Sequence, residues 1–162
     1  VATAFIEVSL SETNYLRAAL IGIRRCISST LKGHRHKYGL KINDTWSIQI
    51  EGACAELAAA LAIGHDWEGT VDTFKSGGDI GNDIQVRSSP NHTYSLIVRP
   101  DDRDSDCFIF VTGVSPHFRV QGWIWGYEAK TGKFLSQLAP DRPPAYAVRF
   151  KDLHDMSESP YG

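Results

Sequence analysis

Cysteine is scarce in this chain, methionine scarcer, and long apolar runs are missing. Of 162 residues only Cys26, Cys54 and Cys107 are cysteines, and one is a methionine. Three well-separated cysteines give neither a disulfide framework nor a Cys-x-x-Cys or Cys/His spacing that would hold zinc. They are expected as reduced, buried thiols, which points to the cytoplasm. No apolar run approaches 18 residues, so neither a membrane span nor a signal segment is expected. The net charge of −2 excludes a broad cationic coat for nucleic acid and leaves room for a local basic site. Gly-x-Ser-x-Gly, P-loop and dinucleotide fingerprints are all absent, and the six histidines are scattered. Serine-hydrolase chemistry and Gly-rich nucleotide cradles are thereby set aside. No internal repeat or linker divides the chain, so 1–162 is expected to be a single domain.

What is present is an ordinary globular composition, 42% hydrophobic. A short strand or extended arm is expected over 3–8. Ser9 and Glu12 have the spacing of a capping box, and Leu16, Leu20, Ile23, Ile27 and Leu31 recur at helical spacing, predicting a helix over 11–32 that ends at Gly33. The basic residues Lys32, His34, Arg35, His36, Lys37 and Lys41 follow on a connector. They suit either a solvated loop or a phosphate-contacting one. A second helix is expected over 47–63, closed by Gly64. It is small and apolar almost throughout, so it should be covered on most sides. Glu51 falls near its expected first turn, where the helix dipole favours an acid. Glu56 is mid-helix among Ala53, Ala60 and Ile63, so its charge needs a cationic partner or a metal.

Strands are expected at 70–76, 83–89, 94–99, 107–112 and 118–125, with Pro90-Asn91-His92 as a hairpin turn. The acidic stretch 100–106 lacks the glycine and glutamate of a calcium loop and is expected as a solvated turn. A short helix within 126–138, a last strand near 145–150 and a frayed polar tail over 154–162 complete the chain. Trp123 and Trp125 are expected in core and edge packing. Their alternative is an exposed aromatic strand in a structural or assembly protein.

One stretch carries most of the chemistry: Gly77-Gly78-Asp79-Ile80-Gly81-Asn82-Asp83-Ile84-Gln85-Val86-Arg87. A glycine-rich turn holding acids leads into an alternating strand. Gln85 and Arg87 are two apart and share a face, and by the same alternation so does Asp83. An acid, an amide oxygen and a cation could meet there around a divalent metal and a phosphate; a polar hairpin with solvated side chains is the plain alternative.

The order of helix with Glu56, turn with Asp79 and strand with Gln85-x-Arg87 resembles the PD-(D/E)XK nuclease superfamily. The segments Gly52-Ala53-x-x-Glu56-Leu57-Ala58, Asp79-Ile80-Gly81, Ile84-Gln85-Val86-Arg87, Leu96-Ile97-Val98-Arg99-Pro100 and Phe118-Arg119-Val120-x-Gly122-Trp123-Ile124 are similar to phage and prophage proteins of that fold. They span about 44–150. Residues 1–43 form an N-terminal helix and basic loop, and 151–162 a tail. The resemblance implies an α/β (α+β) restriction-endonuclease-like domain, with a central mixed sheet of about five strands flanked by helices. It implies metal-dependent hydrolysis of DNA with Mg²⁺ or Mn²⁺ in a bacterial or phage-infected cell. Glu56, Asp79 and Gln85 would be metal ligands, with Asp83 in reserve, and Arg87 would bind phosphate. Lys32, Arg35, Lys37 and Lys41 would touch DNA, and the chain would work alone or as a homodimer. Gln85 is neutral where the superfamily has an acid, and Arg87 cannot transfer a proton. The matching alternative is therefore a nuclease-fold protein that has lost catalysis and binds nucleic acid or a host protein.

Overall fold

The structure, a computed structural model, describes residues 4–33, 42–71 and 77–162. It is a mixed α and β domain of two sheets and, among the described residues, three α-helices.

Strand β1 (Ile6–Ser9) leads into helix α1 (Glu12–Leu31). The helix is capped by Ser11, whose Oγ accepts the Asn14 N–H at 3.2 Å. Ser9, the expected cap, is the last residue of β1 and is hydrogen-bonded through Oγ to His117. Gly33 closes the helix at φ 68°. The expected apolar stripe proves to be on the outside: Leu16, Leu20, Ile27 and Leu31 are 64%, 57%, 45% and 82% exposed. The buried residues are Ala18, Gly22 and Cys26, spaced four apart. Close helix packing decides this, because a Cβ on Gly22 would stand 2.5 Å from Ile50 Cα. Leucine cannot occupy such a seam.

The partner across the seam is α2 (Ile42–Ile63), which begins about a turn before the expected start. Ala53 through Ala60 are buried without a break, as an apolar helix covered on most sides requires. Residues 44–63 are long and apolar enough to cross a bilayer, and half of that window is buried inside the fold. Glu51 thus lies well inside the helix, and its carboxylate accepts from Ser115 N–H at 2.9 Å and from the Ser115 hydroxyl.

The main sheet has four strands in the order β1–β5–β4–β2. Here β2 is Ile84–Ser89, β4 is Cys107–Val114 and β5 is His117–Trp125. The expected hairpin at residues 90–92 does not form. Strand β2 runs parallel to β4, because the chain first departs through β3 (Leu96–Val98) into a second sheet. That sheet, ordered β3–β7–β6, adds β6 (Leu135–Ser136) and β7 (Ala145–Val148). The main sheet is therefore covered by helices on one face only. Ile84, Val86, Cys107, Ile109 and Val111 pack with α2, while Phe108, Phe110 and Ile124 pack on Leu96, Val98 and Val148 of the small sheet. Burial on both faces explains the unbroken apolar run of β4.

Of the helix expected within 126–138, only α3 (Gly126–Ala129) forms before β6. The expected strand over 70–76 falls partly outside the described residues, and residues 70 and 71 are not strand. The tail is packed, not frayed. Met156 is buried, Trp123 Nε1–H donates to Asp155 O at 3.0 Å, and the Tyr161 hydroxyl donates to Asp83 at 2.8 Å.

Candidate functional site

Strand β2 lies at an edge of the main sheet, and polar groups gather on both of its sides. On the helix side, Glu56 is 8% exposed. Arg25 of α1 reaches across the helix seam and grips both of its oxygens, Nη1 to Oε1 at 2.7 Å and Nη2 to Oε2 at 2.9 Å. The Trp67 indole N–H adds a third bond to Oε2 at 3.1 Å. Arg25 Nε–H donates to Thr70 O at 2.9 Å, which ties the segment after α2 to the same guanidinium. Burial alone would lower the Arg25 pKa; the hydrogen bonds to Glu56 and the charges of Glu56 and Asp79 outweigh it and raise it. The charge of Glu56 is thus satisfied by a two-pronged ion pair of the strongest kind.

Asp79 sits in the turn before β2. That turn closes tightly, since a Cβ on Gly78 would meet Ile84 O at 2.7 Å. Asp79 Oδ2 accepts the N–H of Val86 at 2.7 Å, so the carboxylate lies along the side of the strand away from β4. Burial first, and then the nearby charge of Glu56, push its pKa up to about 6; the Val86 hydrogen bond and the charges of Arg87 and Arg25 pull the other way. Asp79 thus feels the charges of Glu56, Arg25 and Arg87.

On the small-sheet side the polar residues of β2 turn away from Asp79. Gln85 donates its amide N–H to Asp106 Oδ2 at 3.1 Å and to Gly77 O at 3.3 Å. A carboxylate only accepts, so the amide nitrogen, not the oxygen, must face it. Arg87 Nη2 donates to both oxygens of Asp102 at 3.0 Å, and its guanidinium lies 5.1 Å from the Phe108 ring centroid. Asp83 is exposed in the turn 81–83 and accepts from Tyr161. Lys32 is the C-cap of α1, its backbone N–H donating to Ser28 O. Arg35, Lys37 and Lys41 lie outside the described residues.

The acidic stretch 100–106, expected as a solvated turn, is what receives Gln85 and Arg87. Asp106 is 2% exposed. Besides Gln85, its Oδ2 accepts from Arg103 Nε–H at 3.1 Å, and its Oδ1 lies 3.0 Å from Arg103 Nη2. Arg103 also donates to Asn82 O at 2.7 Å, joining this turn to the one that carries Asp79. Asp102 caps the Arg99 N–H at 2.8 Å, and the Lys130 ammonium donates to Pro100 O, to Asp102 O and to Asp104. Arg87, Arg103 and Lys130 hold the acids of this turn in place. Asp102 and Asp106 are the residues that the sequence did not single out. The signal for them was the density of acids following a strand whose polar face ends in Gln and Arg.

The donor set as arranged does not fit a divalent cation. Both Glu56 oxygens are bound by Arg25, the Gln85 oxygen faces away from its carboxylate neighbour, and Asp83 is turned toward the tail. Among the described residues no three His, Cys, Asp or Glu side chains come together as a metal-holding group. Compared with protein-family models, curated proteins and solved structures, the chain gives no match.

Proposed function

We propose that this chain is a nucleic-acid-binding domain of restriction-endonuclease-like architecture that works without a divalent metal. The carrying observation is the two-pronged grip of Arg25 on Glu56, which gives the buried acid of α2 a cationic partner and leaves it no demand for a metal. The order of Glu-bearing helix, Asp-bearing turn and Gln-x-Arg strand supports the architecture. The second sheet and the lone helical face are departures from it. The reduced, buried cysteines fit a cytoplasmic site in a bacterial or phage-infected cell.

One observation favours a second reading, metal-dependent hydrolysis of DNA. Asp79 is held beside Glu56 with its pKa at about 6, and two neighbouring acids of that kind are a common arrangement at reactive sites. This reading requires Arg25 to release Glu56.

The test is to incubate the chain with single- and double-stranded DNA in Mg²⁺, Mn²⁺ or EDTA, following binding and cleavage together. Binding that persists in EDTA without strand scission is the expected result. Metal-dependent cleavage that disappears in both Glu56→Ala and Asp79→Ala would overturn it in favour of hydrolysis.

A further inference from the structure

The outer side of the small sheet carries a cleft of about 650 Å³, lined chiefly by Lys133, Phe134, Leu135, Arg149, Lys151 and Asp152. Three cations face one acid there, on a chain whose overall charge is −2. Asp152 is already paired with Lys133 at 2.9 Å. Arg149 and Lys151 are exposed and, among the described residues, make no side-chain hydrogen bond or ion pair. This sets them apart from Arg25, Arg87, Arg103 and Lys130, all of which are spent on internal acids.

Geometry explains the grouping. Ala147 and Arg149 are two apart at the end of β7, so they share the face opposite to Val148, which is buried against the sheets. Lys151 follows in the short 3-10 turn Phe150–Asp152. Lys133 stands just before β6, with its ammonium 4.9 Å from the Phe134 ring centroid. Leu135 and Leu138, 54% and 45% exposed, put apolar surface beside the cations. Unneutralised cations next to apolar and aromatic surface are what a nucleic-acid strand needs, with phosphates on the former and sugars and bases on the latter.

We infer that this cleft is the surface on which the phosphodiester backbone of nucleic acid docks, with Arg149 and Lys151 each neutralising a phosphate. The inference rests on the nucleic-acid reading above and names the surface that serves it. The cleft and the acid turn share supports. Lys130, which holds that turn, is three residues before Lys133, and β3 runs from beside Ser95 toward Arg99.

The test is fluorescence anisotropy with labelled single- and double-stranded oligonucleotides in EDTA, titrated with salt. The variants are Arg149→Gln with Lys151→Gln, and Arg24→Gln on the exposed face of α1 as a control. Circular dichroism confirms folding, which these exposed positions should not disturb. The double variant is expected to lose at least tenfold in affinity at low salt. Its log–log salt slope should fall by about 1.4 to 1.8, the release of two phosphates' counterions, while the control slope stays unchanged. Inorganic phosphate at millimolar concentration should compete weakly against oligonucleotide, since one phosphate engages only one of the two cations. Strong competition would reassign the cleft to a small phosphate ligand. Unaltered slope and affinity in the double variant, or an equal loss in the control, would overturn the cleft and leave the nucleic-acid reading standing. No binding of either oligonucleotide by the unaltered chain would overturn both.

Discussion

On the helix side of β2, one acid and one arginine meet among apolar neighbours: Glu56 and Arg25, with Trp67 as the only other polar contact to the carboxylate among the described residues. On the small-sheet side, Arg87 and Gln85 join a shared network of Asp102, Arg103, Asp106 and Lys130 that reaches solvent. The first arrangement is sparse and largely buried, so each member depends mainly on its partner. The second is redundant and wetter, so a lost member leaves others to compensate. Burial and redundancy, more than the count of charges, should set how much each residue matters.

The comparison can be broken most directly at Glu56. Glu56→Gln leaves Arg25 charged, half-buried and without its paired carboxylate. It should cost about 3–5 kcal/mol in urea unfolding. A cost below about 1 kcal/mol would show that the helix side is no more brittle than the other. Asp79 gives the next effect, with the opposite sign. Its pKa is raised from the ordinary 3.8 to about 6, so the folded state holds the proton more tightly than the unfolded chain. Stability from this group is present below about pH 4 and is lost as pH rises through 6. Asp79→Asn keeps an acceptor for Val86 N–H and removes the charge. It should therefore stabilise the fold above pH 6 by about 2–3 kcal/mol and flatten thermal stability between pH 4 and 6. A lower melting temperature for Asp79→Asn at pH 7.5 would contradict this.

Effects on the small-sheet side should be smaller. Arg87→Ala removes a pair whose side chains are 29% and 19% exposed. Screening and the remaining partners of Asp102 hold the expected loss to about 1–2 kcal/mol. Gln85→Ala should cost about 1 kcal/mol, because Arg103 still serves Asp106. If Gln85→Ala rivalled Glu56→Gln in denaturant titration, the redundancy argument would fail.

Much of the skeleton was legible in the sequence. Alternation at Ile84–Arg87 and the β-rich runs at residues 107–112 and 118–125 marked the strands. The small residues of 51–63 marked a covered helix. Periodicity misled at α1, because the seam with α2 selected Ala18, Gly22 and Cys26 for size and sent the leucines outward. The partner of Glu56 was hidden for the same reason. Arg25 adjoins Cys26 on the small-residue face, and only that face, once recognised, aims a cation at a mid-helix acid. The second sheet was illegible because β3, β6 and β7 are short, two to four residues each. Strand partners so far apart in sequence leave no local pattern.

The path of the chain through β3 has a consequence for the order of folding. Strands β4 and β5 are separated by only two residues and can zip together locally. Strand β2 must instead find β4 in parallel after the intervening chain has looped through another sheet, and such long-range pairing is slow. The polar cluster around Gln85 and Arg87 is thus assembled late, onto an existing hairpin. Substitutions there should change the unfolding rate and leave the folding rate nearly untouched.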